Sequence, residues 1–394
     1  MVRRAKPAHI SCRRCEMNIA MYPGMFNRDQ DGATKCLYEL TDTLVANHLN
    51  VGIWALEATE QKQRDLSLHI IPSFPLPIYP DYRIALPNQR IAHQLNRFKP
   101  DVIHITVPDL AGIFLTRYAR QRGIPILTSF HTDFASYLAS YHLEFLSNPM
   151  GRYFDWFYNQ SEVVLAPTKN VVRYLREHNI KRVKLWPRGI HLSQYNPSFR
   201  SQSLRKRWGA EQRTVILYSG RFVWYKDLET VIRVYQMFQE RMPGETVFVL
   251  AGDGPIKNEL KTRMPQAVFP GYLTGQELSA AYASSDILLF PSTTEAFGNV
   301  VLEALASGVP AVVSNVGGCK EIIGNASAGL IAQAKNHCHF YERCRQLIQD
   351  RPLYKEFQEN GLLYARQQNW DAINRIVIDE YMRIARPGYQ EKHA

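Results

Sequence analysis

The chain has 394 residues, enough for two domains and at most three, with 45% apolar and 21% charged residues and 22 each of Gly and Pro. That composition excludes a disordered chain, a collagen, a coiled coil and a disulfide-stapled mini-protein. Most of the net charge of +11 sits in the first half: residues 1–200 hold 25 Lys and Arg against 16 Asp and Glu, residues 201–394 hold 22 against 20.

The first 16 residues are basic, lack the apolar core of a signal peptide and read as a tail, with Met17 an alternative start. Cys12-Arg-Arg-Cys15 has metal-like spacing, but no second such pair completes four ligands. The six cysteines are expected to be reduced and unligated, and no metal is expected. Without a run of 18 or more apolar residues, no transmembrane helix is expected, and the protein is placed in the cytoplasm.

From Met17 on, short apolar β-branched runs alternate with helical periodicity. Strands are expected over 18–22, 51–56, 102–106, 124–130, 163–166 and 183–186, with helices between them over 34–48, 89–98, 112–122 and 170–178. A second series places strands over 215–219, 246–251, 267–269, 287–290 and 311–314, with helices over 228–239, 277–283 and 300–306. Residues 337–386 read as three helices; that surface also explains His337, Cys338, His339 and Cys344 without a metal. Strand–helix alternation means βαβ units and parallel sheets, which bind ligands at the carboxyl ends of their strands. The fold class is therefore α/β, with two Rossmann-like domains. Expected boundaries are the tail at 1–16, a first domain at 17–192, a polar and irregular linker at 193–212, a second domain at 213–370, and a closing helix and tail at 371–394.

One stretch is densely basic: Arg173, Arg176, Lys181, Arg182, Lys184 and Arg188 against Glu177 alone. It reads either as a surface for anionic lipid or another acidic partner, or as a solvated basic face. Nucleic acid is not expected, because no aromatic-plus-basic recognition motif accompanies it.

The strongest chemical signal is the block Phe290-Pro-Ser-Thr-Thr-Glu295-Ala-Phe297-Gly298-Asn299-Val300-Val-Leu-Glu303-Ala-Leu-Ala-Ser-Gly308-Val-Pro310. A strand ends at Phe290, a loop carries Glu295, and a helix starts near Gly298. The unpaired N–H groups and positive dipole end of that helix suit phosphate. Glu303 lies five residues further on, about 7 Å along the axis. Two carboxylates flanking a phosphate site suit two sets of hydroxyls on one ligand, a ribose and a sugar; alternatively Glu303 is a solvent-facing helix residue.

This block resembles the E-x7-E element of retaining glycosyltransferases of family 4, which have the two-domain GT-B fold. Other pieces match in the same order. Ser219-Gly220-Arg221 through Lys226 resembles the G-R-x4-K element, and Leu250-Ala-Gly252-Asp-Gly254-Pro255 and Pro270-Gly271-Tyr-Leu273 resemble its Gly-rich turns. Phe130-His131-Thr132-Asp133-Phe134 resembles the first domain's histidine segment, and Trp186-Pro-Arg188-Gly189-Ile190 the strand leading to the hinge. The match runs from about Met17 to Tyr381, and the pairing of F-H-T-D-F with a following aromatic helix is similar to the branch that makes mannosyl and sulfoquinovosyl lipids.

The resemblance implies parallel sheets facing across a cleft and a hexose moved from a nucleoside-diphosphate sugar to an acceptor hydroxyl by front-face substitution, without metal or other cofactor. Arg221 and Lys226 would neutralise the donor diphosphate as charge builds on it. Glu295 would hold donor-sugar hydroxyls and Glu303 the ribose hydroxyls. Gly271 and Leu273 would frame the base, and Phe297, Gly298 and Asn299 would complete the donor side. Gly32 would let the first domain approach the phosphates, and His131 would sit beside the reacting sugar. The implied acceptor is a lipid or lipid-linked saccharide at the cytosolic membrane face, reached by peripheral binding. A soluble disaccharide or polysaccharide synthase and a non-catalytic sugar-nucleotide binder stand as alternatives.

Each role also has a plainer reading. Arg221 and Lys226 as a solvated pair, His131 as a core histidine bonded to Asp133, and Gly32 as a helix N-cap. Tyr137, Tyr141, Tyr153, Phe154, Trp156, Phe157 and Tyr158 read first as core or interface. Three positions depart from the family pattern: Gly32-Ala33 in place of paired glycines, Asp227 after Lys226, and Gly189-Ile190-His191 at the hinge.

Overall fold

The computed structural model describes residues 17–27, 32–58, 66–76, 79–131 and 147–386. Outside these lie the tail with Cys12 and Cys15, the Asp31 that precedes Gly32, Thr132, Asp133 and Phe134 of the histidine segment, Tyr137, Tyr141, and residues 387–394.

Two parallel sheets organise the chain. The seven-stranded sheet contains β1 (Asn18–Phe26), β2 (Asn50–Ala58), β3 (Ser67–Ile70), β6 (Val102–Ile105), β7 (Ile126–Ser129), β8 (Val163–Ala166) and β9 (Val183–Leu185), in the order β3-β2-β1-β6-β7-β8-β9. A separate antiparallel hairpin pairs β4 (Ser73–Leu76) with β5 (Tyr79–Ala85). The six-stranded sheet contains β10 (Thr214–Ser219), β11 (Thr246–Ala251), β12 (Val268–Gly271), β13 (Ile287–Phe290), β14 (Ala311–Ser314) and β15 (Gly329–Ala332), in the order β12-β11-β10-β13-β14-β15, parallel throughout. The reason lies in the side chains: β6, β7, β8, β11, β13 and β14 are buried at every residue. Strands covered on both faces by helices read as continuous apolar runs, and such sheets are parallel. In both sheets the strand order reverses direction beside the first strand, next to β1 and next to β10. Ligands of doubly wound sheets bind outside the carboxyl ends at that reversal.

The chain divides into two compact units, residues 1–128 with 160–162 and 378–394, and residues 129–159 with 163–377. In the first, Tyr381 on the last helix (Trp370–Ile384) is fully buried, and its hydroxyl lies 2.6 Å from Nδ1 of buried His104 on β6. Burial lowers the His104 pKa to about 3.

Several elements went unread in the sequence. β3 is half exposed, β4 and β5 hold Pro and form only a hairpin, and β15 is four residues opened by Gly. The segment expected to be an irregular linker is ordered. It forms a 3-10 turn over Pro197–Phe199, capped by Asn196, and a helix over Gln202–Arg207, capped by Ser201. Arg205 anchors that helix: its buried guanidinium donates to Asp286 at 2.9 Å and to the carbonyls of Ser284, Ala210 and Arg213. The final stretch does form three helices, His337–Gln349, Arg351–Gln367 and Trp370–Ile384. On the first of them His339 lies 3.1 Å from both Gln333 N and Arg343 Nε, one on each ring nitrogen, while Cys338 is exposed and Cys344 buried.

Candidate functional site

The second unit concentrates charge at the carboxyl ends of β10 and β13. β10 ends at Ser219 and runs into Gly220 and Arg221, and a 3-10 turn over Trp224–Lys226 then sets Lys226. The neighbouring Gly-rich turn braces this loop: Gly220 N donates to Ala251 O and Phe222 N to Asp253 O. β13 ends at Phe290, and the following loop carries Glu295. Lys226 Nζ makes an ion pair with Glu295 Oε1, which also accepts from the Ser292 hydroxyl at 3.2 Å. The two side chains are 16% and 20% exposed. Burial alone would push the Lys226 ammonium down, but the Glu295 carboxylate beside it outweighs that and holds its pKa above the ordinary lysine value. Arg221, five residues earlier on the same loop, is exposed to solvent. So the structure brings Lys226 and Glu295 together and leaves Arg221 at the open edge.

The Glu295 loop is held from behind by the segment after β14. Gly318 N donates to Glu295 O at 2.7 Å, and a Cβ on Gly318 would meet Ala296 O at 2.5 Å, so only glycine allows that approach. Gly298, which caps the helix Asn299–Ala306, sits at φ +102° with Cys319 packed against it. Burial pushes the Cys319 thiol well above the usual cysteine range, so it stays neutral beside the ion pair. Phe297 is buried in the core, and Asn299 opens the helix with its first N–H groups turned outward along the axis. The Gly317-Gly318 pair escaped the sequence reading; two glycines directly before a helix were the available signal.

Glu303, on that same helix, is not a solvent-facing residue: only 7% of it is exposed. Tyr282, on the helix Gly275–Ala283, donates to Glu303 Oε2 at 2.9 Å, and Tyr195 also bonds this carboxylate. Burial first, and then the facing carboxylate, push both phenols well above the usual tyrosine range, so they remain donors. Gly271 closes β12 at φ +91° with open space where a Cβ would be, and Leu273 is half-buried against the core. Between them Tyr272 is 62% exposed.

His131 follows β7 and lies over Trp186 edge-on at 5.9 Å. Arg188 donates to its Nδ1 at 3.2 Å, so Nδ1 carries the lone pair, and the Nε2 proton faces the Ser129 hydroxyl at 2.7 Å. Arg188 itself is buried, stacked on Trp186 at 4.8 Å and bonded to Trp186 O. It therefore does not belong to the basic face it was grouped with, of which Arg173, Arg176, Lys181 and Lys184 are exposed. Gly32, in the other unit, is the first residue of the helix Gly32–Ala46. Of the aromatic stretch, Phe157 and Tyr158 are core, while Trp156 is 44% exposed.

A second link missed by sequence joins residues about 150 apart. Glu321 accepts from the backbone N–H groups of Lys169 and Asn170 at 2.7 and 3.0 Å, capping the helix Lys169–Glu177.

Comparison with known proteins agrees with this arrangement. Residues 30–194 match the model of Glycosyltransferase Family 4, and residues 201–363 that of Glycosyl transferases group 1. The chain is 28% identical over 375 residues to a GDP-mannose-dependent alpha-mannosyltransferase of Mycolicibacterium smegmatis, covering 93% of this chain and 98% of that one. It is 35% identical over 260 residues to a sulfoquinovosyl transferase of Arabidopsis thaliana, covering 64% and 50%. Among solved structures, Anabaena HepE in complex with UDP superposes with a TM-score of 0.76 at 17% identity, covering 93% of this chain and all of that one. Two parallel-sheet units, the strand reversal beside β10 and these matches give the chain the GT-B fold, and it belongs to glycosyltransferase family 4.

Proposed function

We propose that this glycosyltransferase moves a hexose from a nucleoside-diphosphate sugar to an acceptor hydroxyl with retention of anomeric configuration, and that the acceptor is a lipid or lipid-linked saccharide. One observation carries the reading: a Lys-paired carboxylate stands on the loops that follow β10 and β13, and the helix that continues its loop carries a second, buried carboxylate. The helix N-terminus, Lys226 and Arg221 take the diphosphate; Glu295 takes the sugar hydroxyls and Glu303 the ribose. Phe297, Gly298 and Asn299 shape the phosphate side, Gly271 and Leu273 the base side. We assign Gly32 to the phosphates and His131 to the flank of the reacting sugar, its ring fixed by Ser129 and Arg188.

In the reaction, the bond from the sugar's anomeric carbon to the diphosphate oxygen breaks. A bond to the acceptor oxygen forms on the same face, and the acceptor proton passes to a leaving diphosphate oxygen. Positive groups at the diphosphate stabilise the charge that develops there, a role that asks for no metal or other cofactor. Similarity to an alpha-monoglucosyldiacylglycerol synthase of Streptococcus pneumoniae, 26% identical over 267 residues, supports a glycolipid product, and the exposed Arg173, Arg176, Lys181 and Lys184 would supply a surface for anionic lipid at the cytosolic membrane face. Among the described residues, no helix is long and apolar enough to cross a membrane.

A thermal-shift panel with GDP, UDP and ADP on wild type and Glu303→Ala tests the donor site. A ligand at 100 times its dissociation constant adds about 2.7 kcal/mol, a rise of several degrees in Tm, expected for one nucleotide and lost in the variant. No shift with any of them overturns the donor assignment. Proton NMR of the freshly formed product reads the anomeric configuration, and an inverted product overturns the retaining mechanism. Vesicles of anionic lipid should sediment the protein at low salt; failure removes the membrane acceptor and leaves a soluble saccharide.

A further inference from the structure

The chain of hydroxyls behind Glu303 has no part in the chemistry described so far. Tyr282 and Tyr195 are essentially fully buried, and their rings meet edge-on at 5.9 Å. They come from distant places: Tyr282 from the helix Gly275–Ala283, Tyr195 from the segment just before the 3-10 turn Pro197–Phe199. Both hydroxyls reach one carboxylate, and Ser219, buried at the end of β10, bonds the Tyr282 oxygen in turn. Phenylalanine would fill either ring's space equally well, so packing does not explain the two oxygens.

A carboxylate offers about four lone-pair positions. Two phenols, from separate elements, account for two of them as neutral donors, so the carboxylate keeps its charge for the hydroxyls of a ligand. Buried and rigid, the phenols also remove the rotational freedom of a glutamate that would otherwise have to be ordered by its ligand. We propose that Tyr195 and Tyr282 are positioning residues that hold the Glu303 carboxylate aimed at the 2′- and 3′-hydroxyls of the donor nucleotide. This rests on the assignment of Glu303 to the ribose.

The test compares wild type, Tyr195→Phe, Tyr282→Phe and the double variant in titration calorimetry with GDP, UDP and the 2′,3′-dideoxy form of each. The nucleotide that binds wild type should bind about tenfold tighter than its dideoxy form, the size of hydrogen bonds to a charged group. In the Phe variants that preference should shrink towards one, while affinity for the dideoxy nucleotide, which reports folding and the base and phosphate contacts, stays at the wild-type value. A wild-type preference that survives intact in the double variant overturns the proposal and leaves the ribose role of Glu303 standing. Equal loss of affinity for both forms means the tyrosines only support the fold, and also overturns it. Absence of any preference in wild type overturns the ribose assignment, and this inference with it.

Discussion

Glu295 and Glu303 sit eight residues apart and are held by opposite means. Glu295 is paired with a cation, Lys226, and remains one-fifth exposed; Glu303 is bonded by neutral phenols and is nearly sealed. An ion pair at a loop can exchange partners when a charged ligand arrives, because the ammonium can turn to phosphate while the carboxylate turns to hydroxyls. A carboxylate fixed by buried phenols cannot move that way; it can only receive. The pairing of an exchangeable carboxylate with a fixed one suits a ligand that reacts at one end and is merely gripped at the other.

That contrast is sharpest in activity. Glu295→Ala should reduce transfer roughly 100- to 1000-fold, the range for removing one group that acts on developing charge or its neighbours. Measured kcat with the donor that binds should collapse while nucleoside-diphosphate affinity changes little. A variant that keeps more than a tenth of wild-type kcat would show that Glu295 is no less passive than Glu303.

The next effect concerns stability, where the same two means of holding a buried group recur. Arg205 and Asp286 form the buried charged version: 2.9 Å apart, with the guanidinium also serving three carbonyls. Arg205→Met should cost about 3 kcal/mol, since it leaves the carbonyls of Ser284, Ala210 and Arg213 without their donor and takes from Asp286 the more buried of its two guanidinium partners. A urea midpoint that moves by an amount worth less than 1 kcal/mol would mean Arg200, also 2.9 Å from Asp286, suffices alone.

These contrasts bear on how far the sequence could be read. Both sheets were legible because strands such as Val163–Ala166 and Ile287–Phe290 are apolar at every position and buried on both faces. Glu295 and Glu303 stood out because a strand end, a helix start and Gly298, Gly308 and Pro310 frame them, and Lys226 because its spacing from Arg221 resembles the family's G-R-x4-K element. Tyr195 and Tyr282 did not, since a tyrosine whose hydroxyl serves a carboxylate has the same one-letter pattern as a core aromatic. Arg188 misled for the reverse reason: five exposed or half-exposed neighbours made it look like surface, whereas its guanidinium stacks on Trp186. Arg205 was hidden because its partners, Ser284 and Asp286, lie about 80 residues away.

His104 and Tyr381 give the neutral version in the other unit, and its signature is a pH dependence. His104 has its pKa lowered to about 3 in the fold, from 6.5 when exposed, with burial the cause. The folded state therefore holds it neutral while the unfolded chain takes up a proton below 6.5. Stability from this group is complete above pH 6.5 and is lost progressively as pH falls towards 3. At pH 5 the loss should be about 2 kcal/mol, at 1.36 kcal/mol per pH unit. His104→Gln, which keeps a hydrogen-bonding side chain for Tyr381 but does not titrate, should flatten the fall in Tm between pH 6.5 and 5 relative to wild type. If His104→Gln loses stability with acid as steeply as wild type, the acid sensitivity arises elsewhere in the chain, and the neutral pair contributes only packing.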